Sequence, residues 1–251
     1  MVLVMVTLLS LATGSFINVV VYRLPRHITG AATFTSLLAP SSCCIHCERV
    51  LRWYDMIPVL SWLLLRGRCR DCYGPISCRY PVTEAATSLI ALLLMQLLPA
   101  DSRLIAALLL AWSLLALSLI DMKHLLLPDA ITLPLLWLGL LLHAGDVMPG
   151  TLRDAVTGAA AGYSVIRFTG WCYQLLRNQP GIGLGDAKLM AALGAWLGWT
   201  SLPALLLIAC GSALIFVIFI KPYCFQRPDR PVPFGPWLSL AGISLFIHSI
   251  I

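Results

Sequence analysis

The sequence predicts an all-α, polytopic membrane protein with about eight transmembrane helices. Hydrophobic residues fill 59% of the 251 positions and charged residues 11%, with a mean hydropathy of +0.88, outside the usual mix of a soluble domain. Continuous apolar runs such as SLIALLLMQLL at 88–98 exclude a transmembrane barrel, whose strands alternate apolar and polar residues. The length leaves room for roughly seven or eight spans of about 20 residues.

Taken in order, the spans read as residues 2–22, 82–100, 103–122, 130–145, 152–172, 188–203, 204–220 and 236–251, several of them short for a bilayer. The first has no basic residue ahead of it, and Arg23 and Arg26 follow it. It therefore reads as a retained anchor with its N-terminus outside, not as a cleaved signal. Three regions result: a first transmembrane helix at 1–22, a cytoplasmic cysteine-rich loop at 23–81, and a multi-helix membrane domain at 82–251.

Charge supports this orientation, because short cytoplasmic loops collect Lys and Arg. The first loop carries Arg23, Arg26, Arg49, Arg52, Arg66, Arg68, Arg70 and Arg79, and later inside segments add Lys123, Arg177, Lys188, Lys221, Arg227 and Arg230. Only Arg103 and Arg153 fall outside, with Arg167 near the inner end of its span. The net charge of +6 reads as topology and not as a nucleic-acid surface.

Six of the nine cysteines lie in the first loop: Cys43, Cys44, Cys47, Cys69, Cys72 and Cys78. CIHC and CRDC form two C-x-x-C turns, Cys44 with Cys47 and Cys69 with Cys72, separated by 21 residues. Each turn offers two thiolates to one ion, and the pair completes a closed four-sulfur shell suited to structural Zn²⁺. With little apolar material in the loop, metal binding would supply much of its folding free energy. A reducing cytoplasm disfavours disulfides. Cys43 is an alternative to Cys44 as ligand, and His46 reads as an exposed loop residue. Such a closed shell has no open position for water, so any hydrolysis must happen elsewhere.

Two of the eleven acidic residues sit at the ends of spans: Asp121 closes LALSLID, and Asp186 opens the sixth span within GLGDAKL. Ionisable groups at that depth are costly unless they line a cavity or have a partner. Both fall on the cytoplasmic side of the charge-derived topology. If the two helix ends adjoin, the carboxylates share one proton, the working state of an aspartic protease: one activates water while the other polarises the scissile carbonyl. Gly183 and Gly185 beside Asp186 offer backbone freedom and close approach for a substrate strand. Lys188 reads as an anchor to the headgroups, with a catalytic role as the alternative. Asp121 with Lys123 alternatively forms an interfacial pair, and Asp129 in LPDAITLP reads as a helix cap.

Together these segments resemble the bacterial prepilin peptidases, the membrane leader peptidases of type IV pilus and type II secretion systems. GSFINVVVYRLP at 14–25, the cysteine turns, IDMKHLLLPDAITLP at 120–134, GLGDAKL at 183–189 and PFGPWLSLAG at 233–242 carry the resemblance over nearly the whole chain. Leu127 stands where the family often has Ile. The resemblance implies Asp121 and Asp186 as the catalytic pair and Cys44, Cys47, Cys69 and Cys72 as the metal set. It also implies a prepilin or pseudopilin substrate, cut on the cytoplasmic face of the bacterial inner membrane. N-methylation of the new N-terminus with S-adenosylmethionine follows in many members, and no nucleotide fingerprint places that donor here. Pro180 and Gly181 ahead of GLGDAKL, and Pro222, Pro228, Pro231, Pro233 and Pro236 in the last inside loop, predict non-helical segments flanking the entrance. A proton-coupled transporter using the aspartates as a relay is the alternative, although no internal repeat favours it. A membrane-bound zinc-ribbon scaffold without catalysis would leave the aspartate pair unexplained.

Overall fold

The computed structural model describes residues 2–28, 42–178, 183–220 and 232–250. These residues hold helices and turns, with no strand beyond the isolated bridges Cys43–Val50 and Arg68–Pro75. Contacts divide the chain into two compact units, Met1–Pro99 and Ala100–Ile251.

The first unit contains α1 (Val2–Ile28), the short α2 (Leu60–Leu64) and α3 (Arg79–Leu97). The sequence reading ended the first span at residue 22, but α1 continues past Pro25 to Ile28. Arg26 lies over the ring of Tyr22, one turn back, at 3.8 Å from its centre, a stabilising contact for that last stretch. α3 packs along α1 within the same unit. Small residues allow that packing. A Cβ on Gly14 would lie 2.7 Å from the Cα of Glu84, and Thr87 donates its hydroxyl to the Ser10 carbonyl at 2.9 Å.

The second unit contains α4 (Ser102–His124), α5 (Asp129–Ala144), α6 (Leu152–Arg177), α7 (Leu184–Leu197), α8 (Leu202–Ile215) and α9 (Gly235–Ile250). Local chemistry sets several ends. Asp101 caps α4 by accepting the amides of Arg103 and Leu104, and Thr151 caps α6 by accepting that of Asp154. Leu125 and Asn178 end α4 and α6 in the left-handed region. The sixth span, expected at 188–203, is a helix four residues earlier that stops at Leu197. There Gly198 takes φ +76° and a 3₁₀ turn, Trp199–Ser201, leads into α8.

The longer helices follow the predicted spans in order, but among the described residues four segments are long and apolar enough to cross a membrane: Leu3–Arg26, Arg79–Leu97, Ser102–His124 and Trp199–Phe219. Of the most apolar stretch of α4, 67% is buried, against 17% for Trp199–Phe219. The former is interior to its unit and the latter leaves most of its apolar surface exposed.

α7 is the hub of the second unit, with every residue from Leu189 to Trp196 buried. Its sides meet α5, α6 and α9. Trp196 donates its indole N–H to the Leu135 carbonyl at 2.8 Å and packs edge-on against Phe246. Against α6 the backbones touch: a Cβ on Gly194 would lie 2.2 Å from the Gly158 carbonyl oxygen, and one on Gly158 would lie 2.3 Å from that of Gly194. Gly194→Leu is therefore expected to lower the thermal unfolding midpoint by about 10 °C or more, a cost of a few kcal/mol from overpacking. Gly211→Ala, whose new methyl would meet nothing within 4 Å, should shift it by less than about 2 °C. Equal shifts would refute this account of the contact.

Candidate active site

Asp121 lies in the last turn of α4 and is only 5% exposed. Its Oδ2 accepts the amide of Gly235, the first residue of α9, at 2.8 Å. That amide is one of the N–H groups a helix leaves unpartnered at its start. A side chain at position 235 would destroy the contact, because a Cβ there would lie 2.7 Å from the same carboxylate oxygen.

Asp186 lies in the first turn of α7, half-buried, and accepts the Gly183 amide. The charge of Asp121 acts on it through space. The fold thus brings together two carboxylates far apart in the chain, at the C-terminal end of α4 and the N-terminal end of α7.

Leu127, in the turn between α4 and α5, is the wedge beside them. A Cβ on Gly185 would lie 2.8 Å from the Leu127 Cβ, and one on Gly235 would lie 3.2 Å from its Cδ2. The leucine sets how closely α7 and α9 approach this turn. The backbone freedom expected of the two glycines is not used: Gly183 sits at φ −62°, open to any residue, and Gly185 is helical. What Gly185 supplies is room for Leu127.

Lys188 pairs with Asp129, its Nζ 2.6 Å from the carboxylate. Asp129 is therefore not the cap of α5. Pro128 holds that position without a side-chain bond, and Asp129 is the first helical residue, its carboxylate engaged by Lys188. The ion pair ties the starts of α5 and α7 beside the aspartates. With the two side chains 31% and 52% exposed, it contributes at most about 1 kcal/mol. Pro236, expected in a non-helical loop, lies instead in the first turn of α9, where proline is tolerated. Pro180, Gly181, Pro222, Pro228 and Pro231 lie outside the described residues.

In the first unit the thiol sulfurs of Cys44, Cys47, Cys69 and Cys72 all lie within 4.8 Å of one another. Two equivalent turns build the cluster. Cys44 donates its amide to the Arg49 carbonyl and accepts from Glu48, and Cys69 does the same with Gly74 and Tyr73. Glu48 and Tyr73 both take φ 56°, the left-handed step that closes each turn. The His46 ring packs over Gly74 and faces the Pro75 carbonyl, and Arg49 pairs with Asp71 at 2.8 Å, joining the two turns.

This group can hold a metal ion. Sulfurs around a tetrahedral ion at about 2.3 Å stand about 3.8 Å apart, and Cys44 and Cys72 are 3.8 Å apart. The His46 amide donates to the Cys44 sulfur and pulls that thiol down to about 6, while burial and the neighbouring thiols push Cys72 up to about 12, so without an ion the negative charge of the cluster settles on Cys44. His46 is exposed, as expected, yet it also bridges the turns. Cys43 and Cys78 are exposed and stand apart from the cluster.

Two groups escaped the sequence reading. The Gly235 amide carries no side-chain signal, although the Gly-Pro start of α9 marks a helix beginning. Glu84 did leave a signal, an acid two residues into the predicted span 82–100. It is 6% exposed, and its Oε2 accepts the amide of Val59, which is held at φ 60°.

The chain resembles known proteins over most of its length. The family described as Bacterial Peptidase A24 N-terminal domain matches residues 8–98, and the Type IV leader peptidase family matches residues 108–218. A prepilin leader peptidase/N-methyltransferase of Aeromonas hydrophila is 44% identical over 95% of this chain and 88% of its own length. The protein of that name from Burkholderia pseudomallei (strain K96243) is 42% identical over 93% and 81%. The type 4 prepilin-like proteins leader peptide-processing enzyme of Escherichia coli O78:H11 is 39% identical over 96% and 92%. No solved structure is a significant match. These relatives give the transporter alternative no support. Identity at this level over nearly the full length of both chains places the protein in the type IV leader peptidase family.

Proposed function

We propose that this chain is a membrane aspartic endopeptidase that removes the leader of prepilin or pseudopilin precursors and then N-methylates the new N-terminus. The observation that carries the reading is the meeting of Asp121 and Asp186 at two adjoining helix ends, in a chain whose relatives bear the names of both activities.

Each carboxylate has a defined task. Water between the pair loses a proton to the ionised carboxylate as its oxygen attacks the scissile carbonyl. The protonated carboxyl donates to that carbonyl oxygen, and a proton passes to the departing amine. The Gly235 amide fixes Asp121, and the Gly183 amide orients Asp186. A prepilin presents a basic leader followed by an apolar helix, so its scissile bond lies at the membrane surface.

The proposed topology has the N-terminus outside, the cysteine turns in the cytoplasm and eight helices in the membrane. Helices α5, α7 and α9, with 16, 14 and 16 residues, reach only about 21–24 Å at 1.5 Å per residue. That falls short of a hydrocarbon core about 30 Å thick. A short α7 leaves its first turn, and with it Asp186, close to the aqueous boundary. In the cysteine cluster the ion is Zn²⁺, and its role is structural because four thiolates fill its coordination. The methyl donor is S-adenosylmethionine.

Asp121→Asn and Asp186→Asn should each slow cleavage of a model prepilin by about a thousandfold or more while leaving the unfolding midpoint within a few degrees of the parent. Retention of cleavage by either folded variant would remove the aspartic mechanism. Metal analysis of the purified chain should find about one Zn²⁺ per molecule, lost on Cys44→Ser or Cys69→Ser. An iron–sulfur absorption spectrum would contradict the assignment.

A further inference from the structure

Between the two cysteine turns, the first unit presents an exposed apolar face. In α2, Trp62 is turned inward: its indole N–H donates to the Ile76 carbonyl at 3.1 Å, and its ring lies 2.8 Å from where a Cβ on Gly67 would stand. The opposite face carries Leu60, Leu63 and Leu64, at the spacing that places residues side by side on a helix. All three are exposed, Leu64 at 81%. The 3₁₀ turn before α2, Trp53–Met56, adds Trp53 at 76%. Apolar side chains gathered in the open mark an interaction surface, and neither the cleavage chemistry nor the metal cluster uses these.

Basic groups border the face. From α2 the chain enters a turn in which Arg66 takes φ 51° and Gly67 φ 68°. Arg66, Arg68 and Arg70, with Leu65, Cys69 and Tyr73, line a cleft of about 480 Å³. Arg70 is paired with Asp55, whereas Arg66 and Arg68 form no ion pair among the described residues. A guanidinium matches a phosphate through paired N–H donors. Leucine and tryptophan beside unpaired arginines make up the composition of a segment that lies in a membrane interface. Position agrees with composition. α3 begins at Arg79, directly after the second cysteine turn, and α1 precedes the first, and both are long and apolar enough to cross a membrane. Chain continuity therefore holds these turns near a bilayer surface. The basic leader of a substrate would be repelled by the arginines, so it is not the occupant.

We propose that this face docks on anionic phospholipid, with Trp53, Leu63 and Leu64 entering the boundary between headgroups and acyl chains and Arg66 and Arg68 holding a lipid phosphate. The docking fixes the cysteine turns on the bilayer surface beside α1 and α3. It goes beyond the cleavage and methyl-transfer readings and does not depend on either.

The test uses the full-length chain carrying the photocrosslinking substitution Leu64→p-benzoylphenylalanine, in nanodiscs of phosphatidylcholine with and without about 30% phosphatidylglycerol. Irradiation and mass spectrometry should find phospholipid adducts as the main product, with a yield about fivefold or more higher in the anionic discs. Trp53→p-benzoylphenylalanine, a second point on the same face, should behave alike. Adding Arg66→Gln and Arg68→Gln should lower the yield to that of the neutral discs, while the thermal unfolding midpoint in detergent stays that of the crosslinkable parent. The comparison of discs reads the same charge dependence without altering the arginine turn. Crosslinks from both positions to residues 100–251, to a second copy of the chain or to added prepilin in place of lipid would overturn the proposal. Lipid adducts whose yield ignores both the phosphatidylglycerol and the two arginines would overturn it as well.

Discussion

The site depends on how an apolar bundle meets the needs of one buried carboxylate. Asp121 at 5% exposure cannot rely on water, and an unpartnered carboxylate there would cost several kcal/mol. The Gly235 amide answers it at 2.8 Å, and this one contact joins the end of α4 to the start of α9. The need is mutual, since α9 begins with N–H groups that lack partners within the helix. Leu127 then sets the spacing, touching the positions of Gly185 and Gly235 together. Asp186 arrives opposite because α7 is clamped along its length by α5, α6 and α9, most tightly at the Gly158–Gly194 backbone contact.

The two units meet their polar demands in different ways. In the second, a largely apolar core is held by bonds to backbone carbonyls from its few buried polar groups, such as Trp196 to Leu135 and Thr132 to Pro128. In the first, the cysteine turns have little to bury, and their order comes from paired backbone bonds, the Arg49–Asp71 and Arg70–Asp55 ion pairs and four converging sulfurs. A module of this kind, when it holds an ion, depends on it far more than a bundle depends on any single contact.

Much of this was legible in the chain. Apolar runs gave the helices and their order, the C-x-x-C spacing gave the four sulfurs, and two acids at the ends of spans gave the pair. Boundaries were less legible, because Gly198 ends α7 with φ +76° inside a run that stays hydrophobic. Asp129 looked like a cap, since a proline precedes it, but its partner is Lys188, which lies far along the chain. Sequence chemistry suggested conformational freedom and room for a substrate strand at the glycines, whereas at Gly185 the room is taken by Leu127, a contact no local pattern announces. The Gly235 amide was invisible because a backbone group has no residue type.

The central claim is that Asp121 and Asp186 act as one unit. Single-turnover cleavage of a model prepilin by the Asp121→Asn, Asp186→Asn and doubly substituted enzymes measures this directly. Carboxylates sharing one water and one proton are strongly non-additive, so the double variant should be no slower than the slower single variant. A double variant slowed by the product of the two single losses would mean that the acids work independently, and the paired mechanism would be wrong.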